Sequence, residues 1–228
     1  MRFAVIVLLA LASPARAEIN VADSIEWQTI DSDVVVHGFV AAVVKHTRPS
    51  GYWWELTIQI NESIKGGVKK SLRVGMRALM SDEPEQWRKN KTDLVLFLVP
   101  GKDRVEDHED FGRHDYALRR DSSVFVLGTH KAYTVTYDAL TKPTDVLAAI
   151  RGAAKSSATK SFRVDVPWNT PAMNALYGGS AVWLHVPVDT ALEKQALAWI
   201  VDQSTSTREQ GVRALGHFKS KKIGRAHV

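Results

Sequence analysis

The sequence predicts an α+β protein: an antiparallel β-barrel, then a mixed segment, then a C-terminal helical hairpin. Three observations predict it. Apolar residues recur at every second position between about 33 and 138, the composition turns to Pro, Ser, Ala and Lys between about 141 and 160, and apolar residues take helical spacing after about 190.

The chain opens with Met1-Arg2, an apolar run from Phe3 to Ala12, Ser13-Pro14, and Ala15-Arg16-Ala17 ahead of Glu18. A positive start, a short apolar stretch and small residues at the two positions a signal peptidase inspects make residues 1–17 a secretory signal. The apolar run is half the roughly 20 residues that a membrane-spanning helix needs. The expected mature product therefore begins at Glu18, keeps no membrane span, and is secreted or periplasmic. The sequence has no cysteine, so no disulfide supports the fold and stability must come from packing.

The expected barrel domain covers 18–140. Val34 to Val44 is apolar on both faces, as a strand covered on both sides would be. In Tyr52 to Asn61, the side chains of Tyr52, Trp54, Leu56, Ile58 and Ile60 share one face while Glu55, Thr57, Gln59 and Asn61 share the other. Trp53 is the misfit. Ser71 to Arg77 turns Leu72, Val74 and Met76 inward, Glu83 to Lys91 reads as a short helix or capping loop, and Leu94 to Val99 is again apolar on both faces. Val124 to Leu127 and Ala132 to Tyr137 are two further strands, joined by Gly128-Thr129-His130.

Three stretches carry a resemblance: Asp33-Val34-Val35-Val36-His37-Gly38-Phe39-Val40; the Tyr52 to Ile60 strand with Glu62-Ser63-Ile64-Lys65-Gly66; and Asp93-Leu94-Val95-Leu96-Phe97-Leu98. Together they resemble the first half of netrin/TIMP-like domains, exported modules built on an OB-type barrel. The resemblance covers roughly residues 30 to 100 and implies an antiparallel OB-like β-barrel. It implies no protease inhibition, because the cysteine-bearing N-terminus that performs it is missing.

The expected mixed segment covers 141–188. Pro143 suits a first helical turn, and Val146, Leu147 and Ile150 form the stripe of a helix ending near Ala154. Lys155 to Lys160 reads as an exposed loop, Phe162 to Val166 and Ser180 to Val188 as strands, and Pro171 to Tyr177 as a short helix. The expected hairpin covers 189–222. Thr190 with Glu193 and Ser206 with Glu209 are two capping boxes. Leu192, Ala196 and Trp199-Ile200 form one apolar stripe; Val212, Leu215 and Phe218 form the other. Arg208 to Phe218 resembles the inner helix of a HEAT-type repeat. Such a helix pair cannot bury its own apolar face and belongs to an array of roughly three or more units.

Residues Ile223 to Val228, back-translated as ATC GGA AGA GCA CAC GTC, are similar to a short-read sequencing adapter whose next codon stops translation. The expectation is that 223–228 is an adapter artefact and that the natural chain continues past Lys222. The 30 Lys+Arg outnumber the 25 Asp+Glu, but Arg2, Arg16 and Arg225 lie in the leader and the suspected artefact, leaving 27 basic residues against 25 acids. The basicity that would invite a nucleic-acid partner disappears. The remaining chain of about 205 residues is enough for one large domain or two small ones.

Candidate chemistry is sparse. There is no G-x-S-x-G elbow and no Gly-rich phosphate loop. The densest polar stretch, Asp103 to Asp121, offers His108, His114 and Asp115 as ligands for a divalent metal. Spacing argues for solvated loop charges instead, because His108 and His114 are six apart, neither a helical pair nor a recurrent zinc spacing. OB barrels bind extended polymers by stacking on aromatic residues beside basic grooves. Trp53 points away from the inferred core, and Lys45, His46, Arg48, Lys65, Lys69, Lys70 and Arg73 lie on neighbouring strands and turns. Trp53, Lys45, Arg48 and Arg73 are therefore the candidate ligand-binding residues; cover by a loop or neighbouring domain is the plainer account of a lone outward Trp. Export favours an anionic glycan or a protein partner over nucleic acid. His37 and His185, in apolar strands, read as structural. The expected function is a non-enzymatic binding or scaffolding module without cofactor, with a protein partner on the helical-repeat region. The competing class is a metal-dependent hydrolase using the His108 to Asp115 loop.

Overall fold

The computed structural model describes residues 20–48, 51–68, 70–77, 83–103, 116–120, 123–167 and 182–218. The expected leader, the 223–228 segment, the expected Pro171 to Tyr177 helix and the expected His108 to Asp115 loop lie outside the described residues.

Period-two patterning becomes a closed five-strand barrel. Strands β2 (Val34–Arg48) and β3 (Gly51–Lys65) form a long antiparallel hairpin, and β4 (Ser71–Arg77) continues the sheet beside β3. Beyond β4 come β6 (Tyr116–Leu118) and β5 (Leu94–Pro100), and β5 pairs back with β2 to close the ring. All pairs are antiparallel except β4 with β6. Strand β7 (Val124–Val126) extends the sheet beside the start of β5. The alternation read from the sequence sets what faces inward. Trp54, Leu56 and Ile58 meet Leu72, Val74 and Met76 in the interior, with Val34, Val36, Val40, Leu94, Leu96 and Leu98 across from them. Each such aliphatic side chain contributes about 1.5–3 kcal/mol on leaving water. Trp87 of the short helix α2 (Glu83–Asn90) packs on the same interior.

Strand β6 went unrecognised within the polar Asp103 to Asp121 stretch. Among the described residues of that stretch Ala117 and Leu118 are buried, too short an apolar signal to stand out from the charges around it. Ala132 to Tyr137 is likewise a correction. Only Ala132–Tyr133 (β8) is extended, returning as Ala139–Leu140 (β9) through a turn in which Tyr137 adopts φ 64 and donates its backbone N–H to Thr134 O at 3.0 Å.

Leu94 to Leu98 and the first part of Val34 to Val44 are covered on both sides, whereas Ala41, Ala42 and Val44 are exposed where β2 runs on past the barrel. Val35, Val95, Phe97 and Phe125 turn outward from the barrel and are buried with Ile25 of α1 (Ile25–Ile30) and Val146 and Ile150 of α3 (Pro143–Ala153). Ser24 Oγ caps α1 by accepting from Trp27 N at 3.1 Å, and Lys65 Nζ closes its other end by donating to Ile30 O at 2.7 Å and Thr29 O at 3.2 Å. Arg151 of α3 grips Glu62 of β3 through two hydrogen bonds of 2.8 and 2.6 Å.

A second sheet has the order β1-β11-β10, with β1 (Asn20–Asp23) parallel to β11 (Val182–Pro187) and β10 (Ser161–Asp165) antiparallel to it. Chain segments interleave: β1 precedes the barrel but pairs with β11, and α3 follows the barrel but packs on it. Helices α4 (Thr190–Trp199) and α5 (Thr205–Leu215) lie on this sheet. Leu192, Ala196, Trp199, Ala214 and Leu215 are buried with Phe162, Val164, Leu184 and Val186.

Two details of the helices correct the sequence expectation. The caps are Asp189, which accepts from Ala191 N and Leu192 N, and Ser204, which accepts from Thr207 N, rather than Thr190 and Ser206. A carboxylate or hydroxyl sits one or two residues earlier and reaches the free N–H groups first. Val212 faces solvent while Gln210 and Gly211 face inward. A Cβ at Gly211 would lie 2.9 Å from Ala196 O, Ile200 N and Trp199 Cβ, so this glycine lets α5 approach α4 closely and rotates its small-residue face into the contact.

Candidate ligand-binding site

The β2–β3 hairpin runs past the barrel interior, and its far half presents two different faces. Register places His46 opposite Trp53, Val44 opposite Glu55 and Lys45 opposite Trp54. Because successive side chains alternate, His46, Trp53 and Glu55 share the outer face while Lys45, Tyr52 and Trp54 share the inner one. Thr57 pairs with Arg73 on β4, which adds Arg73 to the outer face.

On the outer face the Trp53 indole stacks on the His46 imidazole, with 4.0 Å between ring centroids and 9° between planes. His46 Nε2 lies 3.5 Å from Glu55 Oε2, and Arg73 Nη1 lies 3.7 Å from Glu55 Oε1. Both separations exceed a normal hydrogen bond, so these are loose ion-pair contacts on a half-solvated surface. Val44 adds an exposed apolar patch beside them. The Arg73 side chain is 60 % exposed.

Lys45 is used elsewhere. Its Nζ sits 3.8 Å from the Tyr52 ring centroid and 5.1 Å from that of Trp54, held over these inner-face rings by cation–π attraction. Of the four expected ligand residues, the structure brings Trp53 and Arg73 to one face and sends Lys45 to the other. Arg48 ends β2 at the hairpin tip. His46 is the addition that sequence reasoning undervalued; alternation with Val44 gives its face, and hairpin register puts it across from Trp53.

The expected metal ligands His108, His114 and Asp115 lie outside the described residues. Among the described residues no group of three or more His, Cys, Asp or Glu could hold a metal ion. The two histidines expected to be structural each face a carboxylate: His37 Nε2 is 2.7 Å from Asp93 Oδ1, and His185 Nδ1 is 3.3 Å from Asp23 Oδ1. Among the described residues no helix is long and apolar enough to cross a membrane.

No protein-family model matches the chain, and no curated protein matches it.

Proposed function

We propose that this is an exported, non-enzymatic binding protein whose OB-like barrel takes its ligand on the outer face of β2, β3 and β4. The observation that carries this reading is the parallel stack of Trp53 on His46. A ring already held flat by a neighbour loses little freedom when a ligand ring stacks on it, so binding is less opposed by ordering. Arg73, further along the same outer face opposite Thr57 and reaching Glu55, supplies a planar donor fork suited to a carboxylate or sulfate. The ligand class this combination favours is an anionic glycan: sugar rings on Trp53 and the acid group at Arg73.

The test is tryptophan fluorescence of the mature chain titrated with a uronate-containing oligosaccharide and with a neutral oligosaccharide of equal length. A saturable shift with the anionic sugar, lost in Trp53→Ala, is expected. No shift with either sugar discards the reading.

A second reading has its own observation. The outward side of the helix pair exposes Val201 (80 %), Val212 (59 %) and Leu197 (38 %), which favours a protein partner lying along α4 and α5, as a repeat-like scaffold would hold one. Replacing Val201 and Val212 by Lys is expected to abolish capture of that partner without lowering the melting temperature; unchanged capture discards it.

A further inference from the structure

The far half of the β2–β3 hairpin leaves one side of β2 without a neighbouring strand. Strand β5 pairs with β2 from Val34 to Gly38, and among the described residues no strand lies on that side over residues 41–48. Helix α2 approaches β2, yet Ala41, Ala42, Val44, Lys45 and Thr47 stay exposed and Val43 and His46 are half-buried.

Register decides which backbone groups face the open side. Two residues separate Arg48 from its partner Gly51, so this pair exchanges both of its backbone bonds. The pairing then runs without a shift back to Ala42, so His46, Val44 and Ala42 are bonded to β3, while Val43, Lys45 and Thr47 turn N–H and C=O away from it. The other flank of β3 agrees. Ile60 N donates to Lys70 O on the β4 side, so the even-numbered residues of β3 face β4 and the odd-numbered ones, Trp53, Glu55 and Thr57, face β2. Among the described residues no backbone bond reaches the outward groups of Val43, Lys45 and Thr47. They form an edge template at two-residue spacing, with no proline in residues 41–48 to block it.

A second copy of the chain fits this edge badly. The antiparallel register that pairs all three outward residues sets Val43 against Thr47 and Lys45 against its own copy, and like charges directly opposite destabilise a sheet. Lys45 has no carboxylate partner among the described residues; its Nζ lies over the Tyr52 and Trp54 rings. An Asp or Glu on an added strand, across from Lys45, turns that repulsion into a cross-strand ion pair. We propose that the 43–47 edge of β2 takes an extended peptide segment of a partner protein by strand addition, with an acidic residue set across from Lys45. Main-chain bonds supply the affinity and Lys45 selects the partner. The edge does not depend on glycan binding at Trp53 and Arg73.

The experiment uses the whole mature chain with the end-blocked synthetic peptide Thr-Val-Thr-Glu-Thr-Val-Thr and its analogue carrying Lys in place of Glu, following backbone amides by NMR shift and hydrogen exchange. Without peptide, the Val43, Lys45 and Thr47 amides should exchange faster than those of Val44 and His46. The Glu peptide at millimolar concentration should shift and protect those three amides saturably, and the Lys peptide should bind about twofold more weakly or worse. Thr47→Pro removes an outward N–H while keeping the bonds to β3, and should weaken binding about fivefold or more with the melting curve in place. Lys45→Glu should reverse the preference between the two peptides. Trp53→Ala should leave peptide binding intact, which separates failure of this edge from failure of the glycan reading. No saturable protection of the three amides, equal affinity for both peptides, or a chain that dimerises through this edge overturns the proposal.

Discussion

The His46 imidazole lies flat against the Trp53 indole, 4.0 Å between centroids, across two strands whose side chains otherwise alternate between barrel interior and solvent. This pair converts an isolated outward tryptophan into a fixed planar surface.

Trp53→Ala removes that surface. A cross-strand aromatic pair contributes about 0.5–1.5 kcal/mol beyond its burial, so the melting temperature falls only slightly. Ring stacking contributes about 1–3 kcal/mol per stacked unit, so glycan affinity falls roughly 5- to 150-fold. Parallel melting and titration curves check both, and a large stability loss with unchanged affinity would falsify the assignment.

Gly38 and Gly211 have no room for a methyl group. A Cβ at Gly38 would lie 2.1 Å from Gln59 O, where β2 and β3 shift register, and one at Gly211 would meet α4 at 2.9 Å. Gly38→Ala must displace backbone and is expected to cost more than the 1–3 kcal/mol typical of overpacking, whereas Gly211→Ala should fall within that range. Urea titration distinguishes the two; equal, negligible costs contradict the close approaches described.

Ile150 is fully buried between α3 and the outside of the barrel. Ile150→Ala is expected to destabilise the protein by about 2–5 kcal/mol. A cost under 1 kcal/mol in chemical denaturation is incompatible with α3 sealing the barrel's outer surface.

Arg119 joins Asp23 of β1 to Asp31 after α1, at the seam between barrel and second sheet. Arg119→Met leaves Asp23 buried with only its weaker cations, and a broken buried pair costs about 3–5 kcal/mol. Asp23→Asn in the same background should recover part of that loss, because the uncompensated charge is gone. Stability measured across the four combinations tests the coupling.

Glu26 predicts a pH dependence. Burial raises its carboxyl above the ordinary 4.5, with Asp189 pushing the same way and its hydrogen bonds opposing. The unfolded chain therefore gives up this proton at lower pH than the folded one. The associated stability is fully present below about pH 4.5 and is lost as pH rises through the folded value. Glu26→Gln should raise the melting temperature at pH 7 and give no such gain at pH 4. An equal gain at both values rules out burial of an ionising carboxyl as the cause.

Much of the fold was legible because barrel interiors impose a strict rule on short stretches. Leu72, Val74 and Met76, or Trp54, Leu56 and Ile58, reveal their side of the sheet by parity alone. The double-sided apolar character of Leu94 to Leu98 likewise announced cover on both faces, though not that α1 and α3 supply it. Strand β6 escaped because two buried residues carry no period, and β1 because its four residues gave no alternation to read. Val212 was misplaced because hydrophobicity suggested an inward residue where the close approach at Gly211 decided the rotation of α5.

The candidate site divides similarly. Trp53 and Arg73 could be placed on one outward face from alternation along their own strands. That Lys45 lies behind them, over Tyr52 and Trp54, depended on hairpin register, which a single-residue shift would reverse.

The sequence by itself determined the strand parity, the helical stripes and the absence of disulfide support, since each follows from residue type and local spacing. Only the tertiary structure decided that β1 joins β11, that Asp23 meets Arg119 and His185, and that His46 lies on Trp53. Those pairings link residues up to 162 positions apart, and no local preference encodes a partner that distant; burial of both surfaces at once selects it.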